Sequence, residues 1–171
     1  MNEIRIERIR AASDDLVHGL AGVLLDAVES GAGVSFMGDL TFETAAQWWG
    51  GILDTATPRT VILVARDDEG VLGTVQLQPA WPPNQPHRGD VAKLIVHRRG
   101  RGRGIAKQLM NELERHARDE SFTLLLLDTC KGSAAEQLYT SLNWIRVGEV
   151  PRFALNPDGS FCDTVFFYKE L

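Results

Sequence analysis

Between residues 96 and 106 the chain reads Val96-His97-Arg98-Arg99-Gly100-Arg101-Gly102-Arg103-Gly104-Ile105-Ala106, arginine and glycine alternating ahead of an apolar run. If a helix starts after Gly104, its first N–H groups lack intrahelical partners and point beyond the helix end. A phosphate or pyrophosphate placed there is held by those donors and by the helix dipole. Glycine suits such a loop because a side chain would keep the anion away from the backbone. Ala106 is small enough to serve the same end inside the helix. Flanking arginines would add charge-assisted bonds to phosphate oxygens. The run is not a Walker loop, since no Gly-Lys-Ser/Thr follows. Nor is it a dinucleotide fingerprint, because Gly100, Gly102 and Gly104 alternate and no G-x-G-x-x-G can be drawn. The alternative is an RGG-type RNA-binding segment, but those are long, repetitive and disordered, whereas this run is short and bracketed by ordered patterns.

The flanking elements must position this loop. Residues 90–96 read as a strand running into it, and residues 104–118 as a helix running out, with Ile105, Leu109, Leu113 and Ala117 on one face. Upstream, Ile4 and Ile6 alternate with charged residues as in a first strand. Ser13 is an N-cap before Asp14 and Asp15, and Leu16, Leu20, Val23, Leu24 and Ala27 recur at helical spacing until Gly31. Residues 31–40 read as a loop; Thr41 caps a second helix through Trp48, Trp49 and Ile52 that stops near Pro58. Residues 60–65 and 71–77 are β-rich runs joined by a hairpin turn. Pro79, Pro82, Pro83 and Pro86 make residues 78–89 an irregular loop. Residues 122–127 read as a buried central strand and 133–142 as a short helix. Residues 146–154 and 161–169 form a hairpin turned by Asn156-Pro157-Asp158-Gly159. No repeat or linker interrupts this order, so residues 1–171 read as a single α/β domain, a mixed sheet with helices on its faces.

Composition narrows the function. The 171 residues suit one domain, and 44% hydrophobic with 24% charged residues is ordinary for a soluble globular protein. The Met1-Asn2-Glu3-Ile4-Arg5 start lacks the apolar core of a signal peptide, and no run approaches the roughly 20 apolar residues of a membrane span. A formal charge of −5 disfavours a general nucleic-acid binder, although Arg98, Arg99, Arg101 and Arg103 cluster locally. Cys130 and Cys162 show neither metal-ligand spacing nor a paired framework. The expectation is a reduced, cytoplasmic protein without a metal, a membrane or a nucleic-acid partner.

With these elements in order, the sequence resembles the GNAT acetyltransferase superfamily. The family motif Q/R-x-x-G-x-G/A, between the fourth strand and third helix, is met by Arg101, Gly104 and Ala106. The likeness extends upstream into Lys93-Leu94-Ile95-Val96. A second element, an alanine followed four residues later by a tyrosine, is met by Ala135 and Tyr139. Gly132 stands where many relatives have asparagine, and Asn143-Trp144 where they have Gly-Phe. His18-Gly19-Leu20-Ala21, Phe36-Met37 with Asp39-Leu40, and Arg146-Val147-Gly148-Glu149 with Pro151 resemble the tabtoxin-resistance branch. The resemblance implies an α/β fold with a GNAT-like mixed, mostly antiparallel central sheet of six to seven strands flanked by about four helices. It implies acetyl-CoA as acetyl donor, held by Leu94, Ile95, Val96, Arg101, Gly102, Arg103, Gly104, Ile105 and Ala106. It also implies a small-molecule amine as acceptor, such as an amino-acid-like toxin or an antibiotic, with direct transfer in a ternary complex.

Such a reaction needs an acceptor for the amine's proton, a preorganised donor to the oxyanion, and a proton for the departing thiolate. By the resemblance, the backbone N–H of Leu94 is the oxyanion donor, Val96 holds the pantetheine arm, and Tyr139 is the acid. Asp90 opens the fourth strand where several relatives place a general base. Asp128 ends the fifth strand beside it, and two carboxylates in one cleft could raise one another's pKa or bind the substrate ammonium. Water is the third choice of base. His97 reads as an outer contact to the phosphates, and Cys130 as structural. The alternatives are a protein or peptide N-terminal acetyltransferase and a non-catalytic acyl-CoA-binding module; a homodimer is left open.

Overall fold

Period-two alternation and β-branched runs become seven strands of one sheet in the computed structural model, which describes residues 3–171; Met1 and Asn2 lie outside it. In chain order the elements are β1 (Arg5–Ile9), α1 (Asp14–Glu29), α2 (Phe42–Asp54), β2 (Val61–Asp67), β3 (Gly70–Pro79) and β4 (Arg88–Val96). A single 3-10 turn (Arg98–Gly100) leads to α3 (Ile105–Asp119), β5 (Leu124–Cys130), α4 (Ala134–Ser141), β6 (Ile145–Leu155) and β7 (Phe161–Glu170). The expected caps form at Ser13 and Thr41, which accept from the backbone N–H groups of Leu16 and Thr44, and Ser133, read as the first residue of its helix, instead caps it by accepting from the Glu136 N–H.

The strand order is β1-β2-β3-β4-β5-β7-β6, antiparallel throughout except between β4 and β5. Successive side chains of the central strands serve opposite cores. Leu63, Ala65 and Leu72 pack with Ile105, Leu109 and Leu113 of α3 and with Tyr139 and Trp144, whereas Val64, Val71 and Ile95 pack with Leu20, Leu24 and Trp49 of α1 and α2. The result is two helical layers around a mixed, mostly antiparallel sheet.

Strand ends shift by one to three residues from those expected, β3 for instance running on through Gln78 and Pro79, and two of the shifts bear on the site. β4 begins at Arg88 rather than residue 90, because Gly89 and Asp90 still find partners in Pro79 and Gln78 of β3. β5 is displaced from 122–127 to Leu124–Cys130, since Phe122 leaves the sheet to sit buried under the Arg59 guanidinium, 4.2 Å from its ring centroid. Nor is β5 buried on both faces: Leu125 and Leu127 are in the core while Asp128 is exposed. The extra residues carry β5 past Asp128 to Cys130, which is what builds the site below.

Candidate active site

The parallel pair that the fold requires is incomplete. β4 and β5 are bonded only at Arg88–Leu124, Gly89–Leu125 and Asp90–Leu126, and pairing stops there. Beyond it β4 bulges. Ile95 faces Thr74 and Ala92 faces Gln76, so Lys93 and Leu94 together oppose Val75. Lys93 takes the left-handed φ of 54°, uncommon for a non-glycine residue. A cavity of about 410 Å³ occupies the resulting opening, with Lys93, Leu94, Asp128 and Tyr139 among its lining residues. The α1–α2 loop and the β6–β7 turn wall its far side, clasped where Gly38 N–H donates to the Pro157 carbonyl at 3.0 Å.

Tyr139 and Asp128 meet in this cavity. Tyr139 is 5% exposed, its ring packed at 5.9 Å from those of Trp144 and Phe167. Burial, and then the charge of Asp128, push its hydroxyl well above the ordinary tyrosine range, so it keeps its proton. Asp128 Oδ2 accepts from Thr164 Oγ1 at 2.9 Å, which fixes the carboxylate at the cavity wall. Asp90 does not join them. Its carboxylate is taken by Arg88 Nη1 at 2.6 Å, and it is not among the residues lining the cavity. The two aspartates alternate with different neighbours because Asp90 lies opposite Leu126, one pleat short of Asp128. The expected pair of carboxylates in one cleft is therefore not found.

The glycine loop follows directly where β4 ends at Val96 and leads into α3. Gly104 is the N-cap of α3 with φ 73° and ψ 10°, and having no side chain it leaves the first turn uncapped. Gly102 is also left-handed, at φ 76°. A Cβ on Gly104 would meet nothing nearer than Gln108 Nε2 at 3.9 Å, so the space before the helix is open. Leu94 lines the cavity, whereas the side chains of Ile95 and Ile105 are buried in the two cores, leaving only their backbones for a ligand.

The arginines are used differently from the sequence reading. Arg98 pairs with Asp26 and Glu29, Arg101 donates to Asp26 Oδ2 at 3.1 Å, Arg99 pairs with Asp67, and Arg103 lies 3.7 Å from Asp67. They tie the loop to two carboxylates that are 4% and 5% exposed, one on α1 and one at the end of β2. Burial works to raise the pKa of both aspartates. The bonds from Arg98 to Asp26, and from Arg99 and the Glu69 N–H to Asp67, outweigh it and hold both below the usual carboxylate range. His97 belongs to the same structure, its Nδ1 accepting from the Arg99 N–H at 3.2 Å.

A family model described as the acetyltransferase (GNAT) family matches residues 28–144, which span the bulge, the glycine loop and the tyrosine helix. The chain belongs to that family. An uncharacterized N-acetyltransferase from the hisH-hisA intergenic region of Azospirillum brasilense is 28% identical over 130 residues, 75% of this chain and 76% of that one. Human N-acetyltransferase 8B is 35% identical over 88 residues, 50% of this chain but only 39% of that protein. Among solved structures, a GNAT acetyltransferase from Streptococcus pneumoniae superposes with a TM-score of 0.80 at 21% identity, covering 99% of this chain and 100% of that one. A candidate acetyltransferase from Salmonella typhimurium, solved with its cofactor acetyl-CoA, gives 0.79 at 16% identity, covering 99% and 94%. These similarities fit a GNAT domain with seven strands and four α-helices. Among the described residues no helix is long and apolar enough to cross a membrane, and no cluster of three or more His, Cys, Asp or Glu side chains is placed to hold a metal.

The two cysteines are paired, contrary to the expectation of no paired framework. Cys130 and Cys162 form a disulfide between β5 and β7, with Cα atoms 6.1 Å apart, and both line the cavity. Their separation of 32 residues gave no sign of this, because only the β5–β7 register brings them together. The same register hides Thr164. Lys93 stood in view inside the motif, but nothing in the sequence marks the backbone turn that takes it out of regular strand geometry.

Proposed function

We propose that this GNAT domain transfers an acetyl group from acetyl-CoA to a primary amine of a small molecule, by direct transfer in a ternary complex. The single observation that carries this is the cavity at the β4–β5 opening, which a buried, protonated Tyr139 and the Asp128 carboxyl line together with Leu94 of the bulge. The chain's residues fit the donor. The uncapped α3 N-terminus behind left-handed Gly102 and Gly104 suits a pyrophosphate, and a Cβ at Gly104 would project into that space. Gly102, Arg103, Gly104, Ile105 and Ala106 would offer backbone N–H groups, with Arg101 anchoring the loop through its bonds to Val96 O and Asp26. Val96 and Ile95 would align the pantetheine arm by their backbones. When bound, acetyl-CoA supplies the activated thioester.

The protein's own groups do the rest. The Leu94 N–H, at the bulge, would donate to the acyl oxygen as charge develops on it. Asp128 holds the incoming ammonium and takes its proton, directly or through water. Tyr139 keeps a proton for the departing sulfur, which burial ensures across the neutral range. A cavity of about 410 Å³ favours a small acceptor, the class that includes amino-acid-like toxins and antibiotics. A solved phosphinothricin N-acetyltransferase candidate shares the fold at a TM-score of 0.78 and 18% identity. The test is thiol release from acetyl-CoA against amino acids, polyamines, antibiotics and peptides. Turnover of small amines supports the reading; turnover of peptides alone, or acetyl-CoA binding with no turnover of any amine, contradicts it.

A further inference from the structure

We propose that the acceptor carries an anionic group as well as its amine, the amine lying at Asp128 and the anion at Lys93. This rests on the acyltransferase reading and specifies the substrate of that same cavity. Among its lining residues only Lys93 and Asp128 carry a charge, and the two are of opposite sign on different strands. Lys93 Nζ donates to Ser35 Oγ at 3.0 Å and sits 5.4 Å and 5.9 Å from the ring centroids of Trp48 and Phe36. Those contacts position the ammonium while using one of its three donors.

Among the described residues neither Lys93 nor Asp128 forms an ion pair, although the charge of Asp128 acts on Lys93. Two other partly buried cations do have carboxylate partners: Lys169 pairs with Glu114 at 2.8 Å and Arg8 with Glu120 at 2.6 Å. A half-buried ammonium left without a counter-charge is costly. Burial lowers the Lys93 pKa, and Asp128 only partly restores it. An anion supplied by the substrate would remove that cost. The left-handed backbone at Lys93 is a second expense tolerated at this spot, of the kind that clusters at ligand sites. A cation and an anion held apart in one small cavity match the two ends of an amino acid. Polyamines and aminoglycosides would set a second ammonium against Lys93, and a peptide N-terminus would offer it a neutral amide instead of a counter-charge.

The test is thiol release by the full chain with matched acceptors: an amino acid, its carboxamide, its decarboxylated amine and the corresponding aminosulfonate. A charge-assisted bond predicts kcat/KM for the amino acid about 10- to 100-fold above that for the carboxamide or the amine. The sulfonate arm shows whether the site reads the carboxylate or anionic charge alone. Lys93→Met should raise KM for the amino acid and collapse that ratio towards one, while Lys93→Arg should retain part of it. Equal or better turnover of uncharged or cationic acceptors overturns the inference and leaves acyl transfer standing. The same holds if Lys93→Met lowers turnover of all four acceptors alike. Acetyl-CoA binding by calorimetry with no turnover of any acceptor overturns both readings.

Discussion

Neutralising Asp26 separates two jobs for the arginine run. If Arg98 and Arg101 exist to grip phosphates, freeing them from Asp26 should tighten acetyl-CoA binding. If they exist to hold the loop on α1, the same change should loosen the loop and weaken binding. Asp26 is 4% exposed and accepts the Arg98 N–H at 2.9 Å, Arg101 Nη2 at 3.1 Å and the Arg98 guanidinium. Asparagine keeps one acceptor oxygen and turns an amide NH₂ towards a guanidinium, so at least one charge-assisted bond, about 1.5–3 kcal/mol, is lost. The freed arginines are 57% and 46% exposed and regain hydration, which offsets part of it. A net loss of about 2 kcal/mol corresponds to a Tm lower by roughly 4–8 °C for a chain of this size. The predicted outcome for Asp26→Asn is that drop, with acetyl-CoA Kd raised about tenfold, or 1.4 kcal/mol. Calorimetry and thermal denaturation of one preparation measure both. Tighter binding at any Tm would refute the loop-holding role.

Three further outcomes are expected. Gly104→Val should fold, since the space beside it is open, yet carry about 1–2 kcal/mol of left-handed backbone strain and weaken acetyl-CoA binding at least tenfold; undiminished affinity in calorimetry removes the glycine loop from the donor site. Asp26 and Asp67 have folded pKa values below their unfolded ones, so their stabilisation is complete above the unfolded value near ~4 and is lost as pH falls through the folded values. Denaturant titrations between about pH 2 and 5 should therefore show a stability slope that Asp26→Asn and Asp67→Asn reduce, and an unchanged slope would show that neither carboxylate is linked. Reduction of Cys130–Cys162 should expose two thiols to a thiol reagent and lower stability by about 2–4 kcal/mol for a closed loop of this length; two reactive thiols before reduction would contradict the bridge.

What the sequence made legible was what local patterns encode. Caps at Ser13 and Thr41, the apolar stripe of α3 and the turn glycines each act within a few residues, so element order and the glycine loop could be read directly. What depended on register could not. Asp90 and Asp128 read as neighbours, but whether two strand residues share a cleft turns on a displacement of two positions in β5 and on where β4 stops pairing. The arginines read as phosphate ligands because their carboxylate partners, Asp26 and Asp67, lie more than thirty positions away in the chain. Cys130, Cys162 and Thr164 meet only through the β5–β7 register, and β7 is the last strand in the chain.

If acyl transfer takes place between Tyr139 and Asp128, Tyr139→Phe is the substitution that must show it. The substitution keeps the ring that packs on Trp144 and Phe167 and removes only the hydroxyl. With acetyl-CoA and the best small amine found, kcat should fall by roughly 10²-fold, the expected loss of acid catalysis, with Tm and acetyl-CoA Kd held. Wild-type kcat in that variant would contradict the claim and return Tyr139 to the core.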